Sequence, residues 1–210
     1  MLSTCLVDTL DRYLENQGFR RRRNSLHYSR RVAQGSQRLL LFFGVGPRYA
    51  PGALAHLLPQ ARLILPHLNQ AVQEMVAEAP DLIATTEFTF SEQLHNAAPH
   101  HVGTGEATRW FVYDLDSARE CIVSMRRFLE QWTIPFLNRY TSVASLIEGY
   151  EQNDECLPQD RRFLLFVTAA YLVIGRPERA MQVFEDKLGR PGARRQYAKV
   201  FEYVSAWRDR

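Results

Sequence analysis

The stretch "RLLLFFGV", Arg38–Val45, is apolar at both alternating sets of positions. A short run of that kind reads as a central strand covered on both faces. Its upstream neighbours are more polar. Leu26–Val32 alternates Leu26, Tyr28, Arg30 and Val32 with His27, Ser29 and Arg31, and Phe19–Asn24 is a shorter polar strand. "AQGSQ" makes the turn into the central strand. The polar strands belong nearer the sheet edge, where exposed arginines also discourage unwanted pairing.

Working outward, Ser3–Gln17 carries Leu6, Leu10, Tyr13 and Leu14 on one helical stripe, and Gly18 suits the position just past a helix end. "GPRYAPG" (46–52) breaks the chain. Ala53–Ala79 reads as helix, split by Pro59 and Pro66, with Leu68, Val72 and Met75 on its apolar side. "ATTEFTFSEQL" from Ala84 and "TRWFVYDL" read as strands. Asp114 or Asp116 caps a helix striped by Ala118, Ile122, Met125, Phe128, Leu129 and Trp132. Pro135 kinks or breaks it, and Phe136–Tyr150 continues as helix with Leu137, Tyr140, Ala144 and Ile147 inward. "EQNDECLPQD" is a loop. Beyond it, Arg161–Ile174, a helix opened by Pro177 and a last helix carrying Tyr197, Val200, Phe201 and Val204 complete an all-helical tail. "AYLVIGRPERAMQVFEDKLG" has the form of one tetratricopeptide-like helical hairpin, without a second copy at a fixed period.

The expected fold is α+β. A small, mainly antiparallel sheet of four to five strands is packed by amphipathic helices, with a C-terminal all-helical cap. The expected division is an α+β core over residues 1–150 and a helical subdomain over 158–210, packed on the core.

The chain has 210 residues, 46% of them hydrophobic and 23% charged, a composition that supports an independent core. No apolar run is long enough for a membrane span. The N-terminus reads as an amphipathic helix and not as a signal peptide, because Asp8 and Asp11 interrupt its apolar stretch. Cys5, Cys121 and Cys156 are widely spaced with no CxxC, which points to a reducing, cytoplasmic setting without a disulfide framework.

Charge is segregated. Residues 1–50 carry 9 basic and 3 acidic side chains, residues 51–160 carry 6 and 15, and residues 161–210 carry 11 and 5. Arg20, Arg21, Arg22, Arg23, Arg30 and Arg31 form a basic cluster suited to phosphate contact. Strand geometry sends Arg20 and Arg22 one way and Arg21 and Arg23 the other, so the run does not make one surface. Glu92, His95, His100 and His101 offer metal-ligand types, but their spacing matches no ligand frame, and no metal or cofactor is expected. No GxSxG, Walker loop or dinucleotide fingerprint occurs, so no catalytic residues are assigned and no enzyme is expected. Glu148, Glu151, Asp154, Glu155 and Asp160 make an acidic segment that would attract a basic partner, with Tyr150 as an aromatic anchor.

The segments "GFRRRRNSLHYSRR" (18–31) and "TRWFVYDLDSARECIVSMRRFLEQWTIPFLNRY" (108–140) resemble the two signatures of an uncharacterised bacterial domain-of-unknown-function family. The resemblance spans about residues 3–150. It supplies no catalytic residues and implies a cytoplasmic binding protein. Some members resemble immunity proteins that neutralise a cognate toxin. The leading expectation is therefore a non-enzymatic immunity protein that occludes a toxin's active site, with the acidic segment as its contact. The alternative is a nucleic-acid-binding regulator using the arginine-rich hairpin.

Overall fold

The structure is a computed structural model, and it describes residues 2–93 and 110–208. Its contacts divide the chain into two compact units. The first holds residues 1–32, 36–62 and 91–140, and the second holds 33–35, 63–90 and 141–210. The expected division at 150–158 does not coincide with this one, since residues 63–90 and 141–157 group with the C-terminal helices.

In the first unit, α1 (Leu2–Asn16) buries Leu6, Leu10 and Leu14. Gly18 takes φ +81°, and the Phe19 N–H returns to the Leu14 carbonyl at 2.9 Å, closing the helix and burying Phe19. The strands are β1 (Arg20–Arg21), β2 (His27–Val32), β3 (Gly35–Val45), β4 (Ala55–Ile64), β5 (Phe90–Gln93) and β6 (Trp110–Val112). The sheet order is β1-β2-β3-β4-β5, with β6 also paired to β4. β1 and β2 are antiparallel with Arg20 opposite Ser29, and β4 and β6 are antiparallel with His56 opposite Phe111.

The α+β class and the central place of β3 agree with expectation. Several details differ. β1 is only two residues long, and Arg22 and Arg23 belong to the turn that follows. β3 buries Leu39, Leu40 and Leu41, but Phe42, Phe43 and Val45 are exposed, so its coverage on both sides is local. Residues 55–64, expected to be helical, form β4. Ala55, Leu57, Pro59, Ala61 and Leu63 are buried and Leu58, Gln60, Arg62 and Ile64 half-buried, the period of a strand. Pro59 lies just past the ladder to β6, where its missing N–H costs no bond to that strand. The strand expected from Ala84 begins only at Phe90.

Asp114 caps α3 (Leu115–Phe128) in a reciprocal box with Ser117, and these hydrogen bonds lower its carboxyl pKa. The helix buries Ala118, Ile122, Met125 and Phe128. A π turn, Leu129–Thr133, then leads into α4 (Ile134–Arg139). Pro135 has no N–H and its ring crowds the carbonyl one turn back, and the wider turn relieves both. Trp110, Phe128, Trp132, Phe136 and Tyr140 form a ladder of rings whose successive centroids lie 5.1–5.3 Å apart. The helix expected to run to Tyr150 stops at Tyr140, which takes extended ψ.

In the second unit, Ser142 caps α5 (Val143–Glu151), leaving Ala144 exposed. α2 (Pro66–Met75) supplies Leu68, Val72 and Met75 to the core, as its stripe implied. α6 (Arg161–Val173) is apolar almost all round and nearly fully buried, the mark of a central helix. Gly175 at φ +72° ends it, and Pro177 opens α7 (Pro177–Lys187). The short α8 (Pro191–Arg194) and α9 (Ala198–Arg208) follow. Arg162 lies between the Phe88 and Phe166 rings and donates to the carbonyls of Phe88 and Thr89, holding residues 85–89 against α6.

Candidate functional site

The sheet sorts its arginines by face. On the helix-packed side, Asp11 of α1 accepts from the Tyr28 hydroxyl at 2.7 Å and from Arg21 Nε at 2.9 Å. Burial and this hydrogen bond raise the Tyr28 phenol well above its usual value. Arg30 extends over the Phe19 ring and donates to Gln37 Oε1, to the Gln17 carbonyl and to Asn138 Oδ1. Gln37 is fully buried and donates in turn to the carbonyls of Leu137 and Tyr140. Arg21 and Arg30 are therefore half-buried and committed to bonds within the fold.

The other face is different. Ser29 stands opposite Arg20. The turn at residues 33–34 and the bond from Leu41 N–H to the Leu26 carbonyl fix the β2–β3 register. That register places Ser29 opposite Arg38 and agrees with the Arg30–Gln37 bond on the inner side. Arg20, Ser29 and Arg38 thus form a row across three strands, with Arg31 one step along β2. All four are exposed. Among the described residues, the side chains of Arg20, Arg22, Arg23, Arg31, Arg38 and Arg48 enter no hydrogen bond or ion pair. From Asn16 to Gln73 the chain carries nine arginines and no acidic residue.

Aromatic rings share this face. Phe42, 41% exposed, meets His27 edge-on at 5.7 Å. Farther along, His56 stacks on Phe111 at 4.4 Å and hydrogen-bonds the hydroxyl of Tyr49, which is 67% exposed. The Gly46 N–H bonds the Leu54 carbonyl, and counting back along β3 and β4 sets Gly44 opposite His56. A Cβ placed at Gly44 meets no heavy atom within 4 Å. An open slot thus lies between the Phe42 and Tyr49 stations.

Asp160, Asp154 and Glu151 of the acidic segment have partners within the chain. Asp160 caps α6 by accepting from the Phe163 N–H at 2.7 Å, and Asp154 accepts from the Cys156 N–H at 2.9 Å. Glu151 accepts from the Tyr171 hydroxyl at 2.8 Å, with Arg179 at 3.7 Å. Burial and that hydrogen bond push the Tyr171 phenol up to about 12. Glu148, Glu151, Glu155 and Asp160 are exposed and Asp154 is half-buried. Tyr150 is half-buried, with its pKa raised first by burial and then by Asp186, and it shares with Glu151, Arg179 and Asp186 a polar cleft of about 530 Å³.

Glu92 is half-buried, while His95, His100 and His101 lie outside the described residues. Among the described residues no group of three His, Cys, Asp or Glu could hold a metal ion, and no helix is long and apolar enough to cross a membrane. Cys121 is half-buried and donates to the Phe111 carbonyl, with its thiol pKa raised chiefly by burial. The side chain of Cys5 lies outside the described residues.

No protein-family model matches the chain, and neither a curated protein nor a solved structure does.

Sequence reasoning placed Arg20 and Arg31 in a basic surface but missed Arg38, Phe42, Gly44, Arg48 and Tyr49. The absence of any Asp or Glu between Glu15 and Glu74 was the available signal.

Proposed function

We propose that this is a non-enzymatic binding protein that engages an anionic partner through the outer face of its sheet. The observation that carries the reading is the row Arg20–Ser29–Arg38 with Arg31 beside it, exposed and without an acidic neighbour on the strands. Guanidinium groups left unpaired by their own chain raise the local positive potential and draw polyanions to the surface. The test is binding of inorganic polyphosphate to the wild-type chain and to the Arg31→Glu/Arg38→Glu variant. Wild type binds with an affinity that falls steeply with salt, and the variant loses at least about tenfold. Equal binding by the two proteins removes the sheet face from the interaction.

A second reading, an immunity protein acting in the cytoplasm against a cognate toxin or other effector protein, draws on the resemblance above. It is favoured by exposed Glu148 and Glu155, which flank in sequence the cleft-lining Tyr150 and Glu151. Its test is growth protection on co-expression with a neighbouring toxin gene. The Glu148→Lys/Glu155→Lys variant is expected to lose protection, and full protection by that variant takes these two carboxylates out of the contact.

A further inference from the structure

We infer that the partner of the sheet face is single-stranded nucleic acid, with bases stacked at Phe42 and Tyr49 and phosphates along the arginine row. This rests on the anionic-partner reading and names its ligand.

A polyanion without rings would need only the charges, and it would leave the aromatic stations on the same face without a role. Single strands offer unstacked bases beside their phosphates, and proteins that hold them pair basic tracks with exposed aromatic rings. Here the arginines and Phe42 share three neighbouring strands, and Tyr49 lies in the turn beyond β3. Arg20, Arg31 and Arg38 lie on the outer side of β1, β2 and β3. Phe42 lies on that same side of β3, two steps of the pleat from Arg38. Tyr49 stands over the end of the sheet where His56 and Phe111 support it from below. Gly44 leaves the surface between the two stations open, as a base plane requires. Its φ is not positive, so its value there is the missing side chain and not an unusual backbone. A duplex hides the faces of its bases and cannot use Phe42 or Tyr49 in this way.

The experiment measures fluorescence anisotropy of the full chain with a labelled oligothymidylate of about 20 nucleotides, a duplex of equal length, and polyphosphate as competitor. Oligothymidylate is expected to bind more tightly than duplex or polyphosphate. Phe42→Ala and Tyr49→Ala each weaken it about tenfold, and Gly44→Val weakens it by filling the slot, while polyphosphate affinity stays unchanged in all three. Arg38→Ala lowers the slope of log affinity against log salt by about one. Circular dichroism melting verifies that the variants are folded. If the three uncharged variants bind oligothymidylate as wild type does, or duplex or polyphosphate is preferred, the inference falls and the anionic-partner reading stands. If no anion binds at low salt, both fall, and an acidic protein surface becomes the partner to test.

Discussion

Arg30 and Arg31 are adjacent in sequence and opposite in circumstance. Arg30 points inward, where it meets a ring, two side-chain amide oxygens and a carbonyl. Burial lowers its pKa, yet it remains charged, since an arginine stays protonated at any ordinary pH. Arg31 points outward and meets no partner among the described residues. The inner face consumes Arg21 and Arg30 in folding, and the outer face leaves Arg20, Arg31 and Arg38 available. The difference comes from the two-residue period of a strand and not from local composition, which is the same on both sides of the peptide bond.

That contrast can be broken experimentally, beginning at the inner face. Arg30→Ala leaves the buried Gln37 amide and the Asn138 amide without their donor, and is expected to cost roughly 3 kcal/mol in urea denaturation. Arg30→Lys recovers only part of this, because one ammonium cannot reach three acceptors set around a planar fork. A loss no larger than that of a surface arginine would mean the inner network contributes little.

Tyr28→Phe is the next largest, at about 1–2 kcal/mol, because Asp11 loses a charge-assisted hydrogen bond. Its pH signature is specific. The folded-state phenol has its pKa raised above the unfolded value near 10, so its contribution is fully present below about pH 10 and is lost as pH rises through the folded value. The alkaline limb of a stability profile should therefore be flatter in Tyr28→Phe than in wild type. Identical limbs would show that the phenol is not held neutral by its surroundings.

The outer face yields the smallest stability effects. Arg31→Ala and Arg38→Ala should each change stability by no more than about 0.5 kcal/mol while weakening anion binding several-fold. A large destabilisation by either would give the outer row a structural role and blur the distinction between the faces.

Much of the fold was legible because its signals are local. The stripe Leu6, Leu10, Leu14, the cap at Asp114 and the stop at Gly175 each act within a turn or two of chain. β4 was not legible. Pro59 and Pro66 read as breaks in a helix, and it is pairing with β3 on one side and distant residues 110–112 on the other that gives 55–57 their extended form. The end of α4 at Tyr140 was equally hidden, since no breaker stands there and the stop is set by the next helix's cap at Ser142. For the candidate site, the alternation of Arg20–Arg23 correctly implied two faces. Which face is covered depends on Asp11, Asn138 and Gln37, whose contacts span up to 108 positions. In the acidic segment the Asp160 cap is as local as the one at Asp114, whereas the Tyr171–Glu151 bond follows from tertiary packing and left no mark in the sequence.

The π turn at Leu129–Thr133 sets a phase as well as relieving Pro135. It is equivalent to one extra residue in an α-helix. Deleting a single residue there would leave an ordinary helical hydrogen-bond ladder behind, yet rotate everything after it by about 100°. The carbonyls of Leu137 and Tyr140 would then swing away from the Gln37 amide, and Asn138 away from Arg30. A deletion on the helix would thus be felt as a loss of the sheet's inner-face arginine, far away in sequence, with no residue of the sheet altered.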